Sequence, residues 1–121
     1  MVLEKEKVTD SDRAACFIVS RRIEQLKTLR PIDVAFELNV NINRLSYIFK
    51  KERKISLSNF IEKARLNESV LIINKNPDIS IEELCKTVGF SKKKLNNLFE
   101  RNYFVGVEKY KEFVKMRKTG D

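Results

Sequence analysis

Residues 31–60 and 81–110 carry one apolar pattern twice, in register and without a gap, at a shift of 50 positions. Val34, Ala35, Leu38, Val40, Leu45 and Ile48 recur as Leu84, Cys85, Val88, Phe90, Leu95 and Leu98. Phe49 matches Phe99, Ile55 matches Val105, and Phe60 matches Tyr110. A repeat of this kind marks two copies of one small motif, each burying its own apolar stripe. In the middle of each copy stands a residue that tolerates positive φ. Gly89 has no Cβ to clash, and Asn39 belongs to the next most tolerant residue type. The motif is therefore a helix-turn-helix: two helices meeting at a steep angle, with Leu84, Val88, Phe90, Leu95 and Leu98 as inner faces of the second copy.

A chain of 121 residues with 42 % apolar side chains can pack one compact domain, or two very small ones sharing a core. Three glycines and two prolines, with abundant Lys, Glu, Leu and Ile, favour helix throughout. No apolar run is long enough to span a bilayer and no signal peptide opens the sequence, so the expected location is the cytoplasm, with no membrane partner. Cys16 and Cys85 stand among apolar neighbours and are expected to be small buried hydrophobes, not a disulfide. Histidine is absent, which excludes His-based acid–base catalysis and, with only two thiols, makes a structural zinc site improbable. No nucleophile–base pair, apolar-set carboxylate pair or phosphate loop is visible. Neither enzyme activity nor a cofactor is expected.

Capping and breaking residues divide the chain into seven expected helices. Residues 1–10 form a flexible start, with Thr9 and Asp12 offering a capping box to a helix from Ser11 to about Thr28. Pro31 opens a second helix ending near Leu38, and Asn41 caps a third, Ile42 to Lys51. Ser56 caps a long fourth, ending near Asn74 before Pro77. Ser80 and Glu83 offer a full capping box for the fifth, and Ser91 caps the sixth, Lys92 to Arg101. The seventh, Val107 to Met116, buries Val107, Tyr110, Phe113 and Val114. The expected fold is all-α: residues 11–55 as one subdomain, 56–75 as linker helix, 76–116 as the second, and 117–121 as a tail.

In the fourth helix Leu57, Phe60, Ile61 and Ala64 share one face, and Leu66, Val70 and Ile73 the opposite one. Its front half is expected to pack on the first subdomain and its rear half on the second. A rod of about 18 residues is about 27 Å long. Adjacent major-groove faces of DNA recur about every 34 Å.

The net charge is +8, from 25 Lys and Arg against 17 Asp and Glu. Such a surface favours polyanions, nucleic acid first. In a helix-turn-helix the second helix enters the major groove. Its outward positions in the first copy are Ile42, Asn43, Arg44, Ser46, Tyr47, Lys50 and Lys51. In the second copy they are Ser91 at the cap, then Lys92, Lys93, Lys94, Asn96, Asn97 and Arg101. Arg44 can fork onto guanine and Asn43 can pair with adenine. Three lysines at a helix start oppose its dipole, and a phosphate-rich partner relieves that conflict.

SIEELCKTVGFS, followed by LNNLF and preceded by RLNESVLIINKNPDI, closely resembles the DNA-binding domain of the AraC/XylS family of bacterial transcription regulators. RPIDVAFELNVNINRLSYIFKKE resembles that family's first helix-turn-helix. The resemblance covers about Ser11 to Met116. It implies seven helices, two helix-turn-helix units on a long helix, and no catalytic role. The sequence departs from the family pattern at several places. Arg44 stands where an aromatic is usual and Tyr47 where an arginine is, and Lys94 and Asn97 hold these places in the second copy. Glu100 replaces a usual lysine, Lys54 and Phe104 replace glycines that usually follow the reading helices, and Val107 replaces a proline.

The expected function is sequence-specific binding of double-stranded DNA by a monomer that activates or represses transcription, with RNA polymerase as a second partner. The alternative is a degenerate domain that docks on polymerase or another regulator without specific DNA binding.

Overall fold

The computed structural model describes residues 7–119. Among them are eight helices and no strand: α1 (Asp10–Val19), α2 (Ile23–Leu26), α3 (Pro31–Leu38), α4 (Ile42–Arg53), α5 (Leu57–Lys75), α6 (Ile81–Val88), α7 (Lys92–Tyr103) and α8 (Val107–Thr119). The all-α class is as expected, with eight helices in place of seven. No helix among these residues is long and apolar enough to cross a membrane. Two compact units divide the chain, one through Ala64 and one from Arg65, so the boundary falls inside α5.

The extra helix comes from a break in the expected Ser11–Thr28 element. α1 opens on a reciprocal cap: the Thr9 hydroxyl accepts the Asp12 N–H and the Asp12 carboxylate accepts the Thr9 N–H, each at 3.1 Å. These bonds from Thr9, and after them Arg53, hold the Asp12 carboxyl below its ordinary value. α1 stops because side chains take the Phe17 carbonyl. The Ser20 hydroxyl donates to it at 2.9 Å and Arg21 Nε at 3.2 Å, with the Arg21 guanidinium over the Phe17 ring. The Arg21 N–H turns to the Ile18 carbonyl, three residues back, which tightens the last turn. Arg22 is then extended, its N–H taken by the Gln25 side chain, and α2 starts afresh.

In the first unit Asp33 secures the start of α3 at Pro31. Its carboxylate accepts the Arg30 N–H at 2.9 Å and pairs with the Arg30 guanidinium at 3.1 Å, which together hold the carboxyl low. α3 ends at Asn39 in the left-handed region, φ 58°, ψ 47°. Asn41 then caps α4 by accepting the Arg44 N–H at 3.1 Å. Ile18, Leu26, Val34, Leu45, Phe49 and Leu57 are buried together, and Phe60 meets Phe49 edge-on with centroids 5.2 Å apart.

The second unit repeats this plan 50 residues on. Ser80 accepts the Glu83 N–H at 3.1 Å, but the return bond of a full capping box is not formed. Gly89 makes the turn at φ 78°, and Ser91 caps α7 through the Lys94 N–H. Leu84, Val88, Phe90, Leu95 and Leu98 are all buried, as the repeat requires. Tyr103 and Tyr110 each lie 5.2 Å from the Phe99 ring. Burial pushes the Tyr103 hydroxyl up, with Tyr110 adding to it. The corresponding place in the first unit holds Arg53, which stacks on Phe49 and donates to Ser11 and Asp12 at 2.8 Å.

Three further expectations are corrected. Phe113 is 51 % exposed, and Lys111 is buried in its stead with its ammonium 3.4 Å from Glu108. Helical spacing explains this: 107, 110, 111 and 114 share a face that 113 does not. α8 also runs to Thr119, taking in part of the expected tail, and Arg117 donates to Asn74 at 3.1 Å. Gly120, Asp121 and residues 1–6, which include most of the expected flexible start, lie outside the described residues. Finally, Cys16 is exposed and Cys85 only half-buried, both without a disulfide. α1 turns Ser11, Ala14, Ala15 and Ile18 inward, and Cys16 falls on the next face round. Burial, and then the Glu82 carboxylate, push the Cys85 thiol up.

α4 and α7 each close on a left-handed residue, Lys54 at φ 64° and Phe104 at φ 70°. A side chain there crowds its own carbonyl, costing about 1 kcal/mol against glycine. Phe104 is 88 % exposed and gains little packing in return. Phe104→Gly is expected to stabilise the protein by about 0.5 kcal/mol in urea unfolding, relief of backbone strain outweighing glycine's extra unfolded-state entropy. An unchanged or lower midpoint sinks this account.

Candidate nucleic-acid interface

In each unit, the helix after the left-handed turn has one side in the core and the other in solvent. On α4, Leu45 and Phe49 are buried, while Asn43, Arg44, Tyr47, Lys50 and Lys51 are exposed. At 100° per residue these five cover a stripe about 120° wide. The Lys51 ammonium lies 5.8 Å from the Tyr47 ring centroid, so the two side chains lean together. Lys50, Lys51 and Arg53 fall in the last turn, where cations suit the helix dipole.

The matching stripe on α7 is Lys93, Lys94, Asn97, Glu100 and Arg101, all exposed, over buried Leu95, Leu98 and Phe99. Lys92, Lys93 and Lys94 occupy the first turn, which holds no acidic residue. This end concentrates positive charge, from both side chains and backbone amides. Ser91 is exposed, with its hydroxyl engaged by the Lys94 N–H.

Two of the fourteen expected contact residues are drawn inward, and a third is half-buried. Ile42 packs against the core of the first unit and is scaffold, since an apolar side chain beside that core gains by burial. Ser46 is half-buried. Asn96 is half-buried too, and its side-chain oxygen accepts the Val107 N–H at 2.9 Å, capping α8.

The Asn96 bond reflects an exchange between the copies. In the first unit Ser56 caps α5, its hydroxyl accepting the Asn59 N–H at 3.1 Å. Fifty residues on, that place is Gly106, which has no side chain to offer. Asn96 reaches across from α7 to supply the cap, and a Cβ on Gly106 would stand 3.2 Å from its oxygen. Asn96→Ala is expected to cost about 1 kcal/mol of stability, as for other lost caps. The double variant Asn96→Ser, Gly106→Ser should recover most of it by reproducing the first unit's arrangement. Equal stability of Asn96→Ala and the unsubstituted protein in thermal unfolding contradicts the cap assignment.

The sequence reading also passed over Arg65. From α5 its guanidinium donates to the Val88 carbonyl at 3.0 Å and to the Gly89 carbonyl, and it lies 4.1 Å from the Phe90 ring centroid. One side chain thus holds three consecutive residues of the second turn. Arg13 does a weaker version of this in the first unit, reaching the Leu38 carbonyl at 3.4 Å.

No family model matches the chain. Over 77 residues it is 34 % identical to the Msm operon regulatory protein of Streptococcus mutans. That alignment covers 64 % of this chain and 27 % of the relative, so the chain spans about a quarter of that protein's length. The fold is similar to the C-terminal domain of AraT, a response regulator from Geobacillus stearothermophilus, with a TM-score of 0.73 over 88 % of each chain at 23 % identity. A relative named for operon regulation and an AraT domain similar in fold agree with the motif resemblance: the chain is similar to AraC-type regulator domains built of paired helix-turn-helix units.

Proposed function

We propose that this domain is a sequence-specific reader of double-stranded DNA, with α4 and α7 each entering a major groove on adjacent segments of one duplex. One observation carries the reading: in both units the helix after the left-handed turn has an apolar side spent on the core and an outer stripe of cations and amides. Asn43 and Arg44 are the base readers of the first unit, the amide suited to adenine and the guanidinium to guanine. Tyr47, Lys50 and Lys51 continue that surface along the groove. Lys92, Lys93 and Lys94 neutralise phosphates at the start of α7, while Asn97 and Arg101 face the bases and the flanking backbone. Two readers on one chain need no second copy, so the domain binds as a monomer. Regulation of transcription follows, with RNA polymerase as a further partner, in keeping with the regulatory relative.

Selecting bound fragments from a random duplex pool tests this directly. Recovery of two conserved blocks about ten base pairs apart supports it, and an unenriched pool overturns it. Affinity should also fall about a thousandfold or more between about 50 and 200 mM salt, as for six to ten neutralised phosphates.

A docking module without DNA affinity has one observation in its favour: Glu100 occupies, on α7, the place of Lys50 on α4. A gel shift with random-sequence duplex at low salt separates the two readings, because the docking module alone leaves the duplex unretarded.

A further inference from the structure

Tyr47 is 67 % exposed and falls on the midline of the outer stripe of α4. At 100° per residue Arg44 and Lys50 mark the two edges, each about 60° from it, with Asn43 and Lys51 between. The Lys51 ammonium lies 5.8 Å from the ring centroid. Among the described residues no carboxylate pairs with Arg44, Lys50 or Lys51, so the positive charge around the ring is not compensated within the chain. Leu45 and Phe49 hold the core side of the same helix, which leaves the ring outside the packing. On α7 the midline place is Asn97, fifty residues on, a carboxamide. Tyr47 alone is aromatic on either stripe.

The cations on both sides of the ring suit a polyanion, and the ring's place on the helix selects which group of that polyanion it meets. In a helix lying in the major groove, edge residues turn toward the two sugar-phosphate walls and the midline residue points at the groove floor. That floor presents hydrogen-bond donors and acceptors, and one apolar group, the thymine C5-methyl. An aromatic ring gains by burying the methyl, whereas against the other base edges it strips water from polar groups it cannot satisfy. We propose that Tyr47 is a specificity-determining residue of the first unit, its ring packed on the methyl group of a thymine. The inference rests on DNA reading by α4. Arg44 precedes Tyr47 by three residues, about 4.5 Å along the helix axis, which sets the thymine within about two base pairs of the guanine that Arg44 reads.

The test uses the full chain and a duplex selected from the random pool, remade with deoxyuridine in place of each thymine in turn. Deoxyuridine keeps the base pair and removes only the methyl. At one thymine, affinity measured by fluorescence anisotropy is expected to fall about fourfold, the change that withdrawing one buried methyl-sized group brings. Tyr47→Ala should bind the thymine duplex about fourfold or more weakly and be indifferent to deoxyuridine at that position. Its affinity for random-sequence duplex and its helical signal should be unchanged, since the side chain is exposed and uncharged. Tyr47→Phe should keep both the affinity and the methyl effect. A loss in Tyr47→Phe equal to that in Tyr47→Ala overturns the proposal by assigning the contact to the hydroxyl. A methyl effect that persists in Tyr47→Ala, or a selected duplex indifferent to every replacement, overturns it while DNA reading stands. A pool that yields no enriched duplex overturns the reading by α4 and this contact together.

Discussion

Reversing two charges together, Arg44→Glu with Lys93→Glu, is expected to lower duplex DNA affinity about a thousandfold while leaving the helical signal and melting temperature nearly unchanged. Both side chains are exposed on α4 and α7, whose opposite faces supply the packing, so the substitutions touch no buried group. A lost base or phosphate contact costs about 1–3 kcal/mol, and two lost contacts give about 4 kcal/mol, or about three decades. Each reversal also sets a carboxylate against the polyanion, which raises the loss. Fluorescence anisotropy with a selected duplex measures the effect, and circular dichroism controls for folding. Affinity within threefold of the unsubstituted protein removes α4 and α7 as the readers.

Replacing Arg65 by Met is expected to destabilise the second unit by about 2 kcal/mol. Hydrogen bonds from a charged donor contribute about 1.5–3 kcal/mol each, and the partial exposure of this guanidinium lowers its two carbonyl bonds and ring contact to that combined figure. Arg65→Lys should recover little, because a single ammonium cannot span two carbonyls and stack on Phe90 as a planar fork does. Arg13→Met should cost well under half as much, given its one longer bond. Urea unfolding of the three variants checks the order, and equal losses at Arg13 and Arg65 contradict it. DNA affinity should fall with Arg65→Met as well, since the turn sets the angle at which α7 is presented.

The paired turns were legible because they depend on backbone-tolerant residues at fixed offsets inside an apolar repeat. Asn39 and Gly89 both take the left-handed conformation the reading demanded. Elements made by side chains binding distant or neighbouring carbonyls were not legible. The end of α1 depends on Ser20 and Arg21 capturing the Phe17 carbonyl, which leaves no mark on hydrophobic periodicity. Phe113 was expected inside because it is apolar, yet the face geometry admits Lys111. At the candidate interface, Asn97 and Arg101 are exposed as expected, whereas Asn96 is not, because its role depends on a missing side chain ten residues away. The one available signal was the pairing of Ser46 with Ser56 against Asn96 with Gly106 across the repeat. Arg65 gave less notice still, since its targets are backbone carbonyls more than twenty residues on.

The diverted carboxamide on α7 has a consequence for any operator. Under the proposed reading, with that amide tied to Val107 and an acidic side chain at position 100, the later unit would have fewer groups left for discriminating among nucleotides and would lean more on sugar-phosphate attraction. Promoters recognised by this domain should then tolerate drift in one half while the other stays strict, so mutations scattered across a site will be unequal in their effect on gene expression.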